Sequence, residues 1–98
     1  MIVNIFFDDE EFADIVTVPK SIENIEDVQS KFFEWMFDKE NNHKYWIVIN
    51  GEKVGCQYGT EAFIEWMNNT ILKEEDPKAK ILEKNTTQYN ILEEKLYF

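Results

Sequence analysis

Ninety-eight residues suffice for one hydrophobic core and not for two, and a 44% hydrophobic fraction with eight Phe, four Tyr and three Trp excludes a disordered chain despite a formal net charge of -10. Twenty acidic against ten basic residues put the pI near 4.4, which repels nucleic-acid phosphates and anionic lipid and suits a basic partner. One cysteine, Cys56, excludes an internal disulfide, the apolar runs are strand-sized, and the N-terminus lacks the sections of a secretion signal, so a cytoplasmic protein with no membrane span is expected.

Ile2 to Phe7 is β-branched and aromatic, Asp8-Asp9-Glu10-Glu11 interrupts it, and Asp14 to Val18 resumes the pattern, which predicts a hairpin with an acidic tip. Pro19 ends the second strand because it has no amide hydrogen to donate. Ser21 or Asn24 can then cap a helix, and Asn24 is the better placed because Asp27 follows three residues on. Ile25, Val28, Phe32, Trp35 and Met36 recur at steps of three and four and share one helical face, widened by Phe33 and Phe37. The pattern fades between Lys39 and His43, where the helix should end.

Tyr45 to Ile49, Asn50-Gly51 and Glu52 to Tyr58 predict a second hairpin, because Asn-Gly supplies the two positive φ angles of a type I′ turn. Gly59 breaks it and Thr60 is the expected cap of a second helix, whose buried stripe is Phe63, Trp66, Met67, Thr70 and Ile71. Beyond Pro77, Ala79 to Lys84 suits a fifth strand, while Tyr89, Leu92 and Leu96 have helical spacing.

Phe32-Phe33-Glu34-Trp35-Met36 is echoed by Phe63-Ile64-Glu65-Trp66-Met67, and each copy follows a hairpin. The expected fold is therefore α+β: two consecutive ββα units forming a four- to five-stranded, mainly antiparallel sheet with two helices on one face, plus a C-terminal strand or helix. Residues 1-98 form one domain, with a pseudo-repeat over 1-40 and 44-75 and a tail over 77-98.

Reactive groups are scarce. His43, the one histidine, lies in a polar turn where exposure is expected, and Cys56 in a strand reads as an inert thiol. Four Cys or His ligands for structural zinc do not exist, and the run Asp8 to Glu11 lacks the alternation and glycine of a calcium loop, so neither a metal nor a cofactor is expected. Gly51, Gly55 and Gly59 do not cluster as a phosphate loop does; Gly55 has no local reason and suggests a bulge or a slot crossed by a ring. Lys73, Lys78, Lys80 and Lys84 are interleaved with acids, which argues against direct nucleic-acid binding.

In size, acidity and aromatic content the chain is similar to small accessory proteins of bacteria, phages and mobile elements, among them immunity proteins and nucleic-acid mimics. That similarity is one of composition alone. The expected function is non-enzymatic: a protein-binding module or inhibitor in which carboxylates around an aromatic patch engage a basic surface, with Trp46, Tyr58, Tyr97, Phe98, Glu34 and Glu65 as candidate contacts. A DNA-binding enzyme blocked by duplex mimicry is a sharper form of the same idea. Two alternatives differ in class: a self-associating structural protein, a homodimer joined at an exposed hairpin edge, and a small enzyme using Glu34 and Glu65 across a cleft.

Overall fold

Alternating β-branched and aromatic residues make Ile2–Phe6 (β1) and Ala13–Thr17 (β2) an antiparallel hairpin in the computed structural model, which describes residues 1–98. Asp8 takes a φ of 47° at the tip, a conformation that aspartate tolerates better than most residues. Helix α1 (Ile25–Met36) starts at Asn24, whose side-chain oxygen accepts hydrogen bonds from the amides of Glu26 (3.1 Å) and Asp27 (3.3 Å). It buries Ile25, Val28, Phe32 and Met36, one stripe at helical spacing. It stops at Met36, short of the expected Lys39 to His43, because Asp38 folds the next residues into a turn: its carboxylate accepts from Glu40 N and its carbonyl from Asn41 N, both at 3.0 Å.

Trp46–Ile49 (β3) and Glu52–Cys56 (β4) form the second hairpin, with φ of 50° at Asn50 and 77° at Gly51 as a type I′ turn requires. Helix α2 (Thr60–Trp66) begins after Gly59 without a side-chain cap. Thr60 is its first residue and not its cap, because the Thr60 hydroxyl donates instead to Asp14 Oδ2 on β2, while Asp14 Oδ1 accepts from Asn85 N at 2.8 Å. The helix widens into a π-helical turn over Met67–Ile71, where Asn68 exchanges two hydrogen bonds with the main chain of Ala79 at 2.8 and 3.1 Å. Strands β5 (Lys80–Thr86) and β6 (Glu94–Tyr97) complete the chain.

The architecture is α+β, but the six strands do not share one sheet. Four form a mixed sheet in the order β5-β2-β1-β6, with β1/β2 and β2/β5 antiparallel and β1/β6 parallel; β3 and β4 form a separate two-stranded sheet. The expected joining of the two hairpins therefore does not occur. Tail strands occupy both edges of the first hairpin, so the second cannot pair with it directly. The expected helical spacing of Tyr89, Leu92 and Leu96 is likewise overridden, since β1 recruits Leu96 into a parallel pair with Ile5, where its side chain is buried.

Val3, Ile5, Val16, Val18 and Leu96 join both helices in one core cluster, centred on Phe32, whose ring meets Phe63 at 5.2 Å and Tyr58 and Trp66 at 5.4 Å. The echoed segments face each other there: Phe32 touches Phe63, Trp35 lies 6.4 Å from Trp66, and Met36 and Met67 are both fully buried. On the sheet's opposite face, the connection from β5 to β6 runs across β1 as a strap. Asn4 Nδ2 donates to Asn90 O at 2.9 Å, and the Phe6 ring meets Tyr89 and Tyr97, each at 5.2 Å. No helix is long and apolar enough to cross a membrane.

Candidate binding surfaces

The β3–β4 hairpin is held to the end of α1 by side chains that satisfy main-chain carbonyls no helical amide can reach. His43 Nε2 donates to Met36 O at 2.8 Å, and Cys56 Sγ approaches the same oxygen at 3.4 Å. Asn41 Nδ2 donates to Trp35 O at 3.0 Å, Trp46 Nε1 donates to Asn41 O at 2.6 Å, and Lys53 Nζ reaches Lys39 O and Asn42 Oδ1. His43 is thus not the exposed turn residue expected from sequence. It is half-buried, stacked on Trp46 at 5.1 Å and 4° and packed on Trp35 at 4.7 Å. Burial pushes the Cys56 thiol above its ordinary pKa, in keeping with a protonated S–H donor.

Beside this clamp lies a cleft of about 320 Å³ between the loop 43–45, α1 and α2. Its walls are the rings of Trp35, His43, Tyr45 and Trp66; Glu65, Lys44, Asn69 and Thr70 supply its polar groups. The π-helical turn contributes Asn69 and Thr70, a widening of the kind often found at functional sites. Lys44 Nζ sits 5.4 Å from the centre of the Tyr45 ring, so one ring face here already attracts an ammonium. Trp66 Nε1 is buried without a hydrogen-bond partner.

The residues singled out in the sequence do not form one site. Glu65 lines the cleft, whereas Glu34, although exposed at the equivalent place on α1, does not. Tyr58 and Phe98 turn inward: Tyr58 packs on Phe7 and Phe32, and Phe98 stacks on Phe7 at 5.0 Å and meets Phe63 at 5.2 Å. Burial raises the Tyr58 phenol, with a smaller push from Cys56. Trp46 serves the clamp, with Lys53 Nζ 5.3 Å from its ring, and Tyr97 lies exposed on the strapped face of the sheet, stacked on Phe6. The spacing of Trp35, His43, Tyr45 and Trp66 reads as helix core and turn, so the sequence does not mark them as a site.

Gly55 marks a bulge, as one of its two expected roles required. Ile47 pairs with Gly55 and Val48 with Lys53, which leaves Val54 as the extra residue. No ring crosses the glycine, since a Cβ built there meets nothing within 4 Å. Asp8 to Glu11 form an exposed tip, and no three His, Cys, Asp or Glu side chains are grouped to hold a metal ion. Comparison with protein-family models, with curated proteins and with solved structures gave no match.

Proposed function

We propose that the chain is a non-enzymatic protein-binding module that takes a cationic side chain of a basic partner into the cleft between α1 and α2. The observation that carries this is the meeting of four rings, Trp35, His43, Tyr45 and Trp66, with the Glu65 carboxylate in one concavity. Ring faces attract a cation through their quadrupole, and the carboxylate adds a full opposite charge where water is partly excluded. The net charge of -10 steers a basic surface toward the protein. Lys44 is the internal competitor for the Tyr45 ring.

The test is a titration of tryptophan fluorescence with a lysine- and arginine-rich peptide and with a neutral peptide of equal length. The basic peptide is expected to bind, Glu65→Gln to weaken it by about fivefold, and Lys44→Ala to strengthen it. Equal binding of the neutral peptide, or indifference to both substitutions, would overturn the assignment.

A further inference from the structure

On the β3–β4 hairpin, Ile47 is 41% exposed and Val48, Ile49 and Val54 are each 56% exposed, with Phe37 at the end of α1 52% exposed beside them. A two-stranded sheet with two open edges and so much bare apolar surface is marginal alone and marks a contact site. A groove of about 430 Å³ runs along β4, lined by Phe37, Trp46, Val54 and Gly55 with Lys39, Glu52 and Lys53. Gly55 forms part of its wall with bare backbone. Its φ lies outside the left-handed region and a side chain there would meet nothing, so neither strain nor internal packing calls for a glycine.

We propose that this surface joins two copies of the chain about a two-fold axis, hairpin to hairpin, with Phe37 and Val54 of each copy packed against the groove of the other. Charge argues for a second copy. Across residues 37–58, Lys39, Lys44 and Lys53 balance Asp38, Glu40 and Glu52, while the rest of the chain carries the whole excess of negative charge. Two molecules of net charge -10 meet with less repulsion through a segment that carries no net charge than through the acidic remainder. The patch is also self-complementary, as a two-fold contact requires: filler and groove lie side by side, and Lys39 and Glu52 on one groove offer opposite charges to Glu52 and Lys39 of the other. Because the bulge at Val54 interrupts the β4 edge, side-chain packing rather than a continued strand ladder makes the contact.

The dimer does not depend on the cation cleft, and its test reads mass rather than peptide binding. Sedimentation of the full chain over a range of micromolar concentrations should show a reversible monomer–dimer equilibrium. Gly55→Val, which fills the groove from a position with free space, and Val54→Glu, which charges it, should leave the thermal midpoint nearly unchanged and raise the dimer dissociation constant by at least about tenfold. A strict monomer throughout, or a dimer that both substitutions leave intact although the variants fold, would overturn the proposal.

Discussion

His43 and Cys56 aim their donors at one acceptor, the carbonyl oxygen of Met36 at the end of α1, at 2.8 and 3.4 Å. The tautomer follows from the second ring nitrogen: Tyr45 N donates to His43 Nδ1 at 3.2 Å, so the ring proton resides on Nε2. His43→Ala therefore removes the stronger of two bonds to Met36 O and the ring stacked on Trp46. The expected loss is about 2 kcal/mol by urea denaturation, with faster hydrogen exchange at the Trp46 indole. Cys56→Ala removes only a weak S–H donor and should cost less than half as much. Equal losses would show that the shared carbonyl does not rank the two donors in this way.

Tyr89 fastens the strap, its ring edge on Phe6 and its hydroxyl donating to Glu10 O at 3.0 Å. Tyr89→Ala is expected to cost about 1–2 kcal/mol, and Tyr89→Phe, which loses only the hydrogen bond, about half of that. Limited proteolysis should cut between residues 87 and 93 faster in the alanine variant, in proportion to how far the strap opens. Unchanged cleavage would mean that the Asn4 to Asn90 bond alone secures the crossing.

Glu61 and Lys84 form the one ion pair, and both side chains are more than half exposed. The hydrogen bond from Lys84 holds the Glu61 carboxyl below its ordinary 4.5, and the same bond raises Lys84 above its ordinary 10.5. The carboxyl's share of stability is thus present above 4.5 and lost as pH falls through its lowered folded value. The lysine's share is present below 10.5 and lost as pH rises through its raised one. Lys84→Met should lower stability by about 0.5 kcal/mol or less on the plateau between, and by nothing in acid or strong base, with the difference shrinking in salt. A pH-independent difference would attribute the loss to packing of the lysine stem instead.

The candidate cleft was only partly legible in the sequence. The repeated F-x-E-W-M segment singles out Glu65, but its equivalence to Glu34 implies a carboxylate pair, whereas Glu65 alone lines the cleft. By spacing Trp35 and Trp66 belong to a core stripe, which is where most of their surface lies, and the concavity arises only where loop 43–45 closes against both helices. The helix stripes account for neither Tyr58 nor Phe98; Tyr58 packs on Phe7 and Phe32, and the pairing of β6 with β1 delivers Phe98 onto Phe7 and Phe63.

Local chemistry alone determined the two hairpins, the Asn50-Gly51 turn, the Asn24 cap and the apolar stripe of α1, since each is decided within a few residues by backbone preference and side-chain spacing. The tertiary structure decided which strands became neighbours, the extended course of the tail and the burial of His43. Those outcomes turn on contacts between residues far apart in the chain, such as Leu96 with Ile5 and Thr60 with Asp14, and a distant edge or acceptor can outweigh the propensity of any short segment.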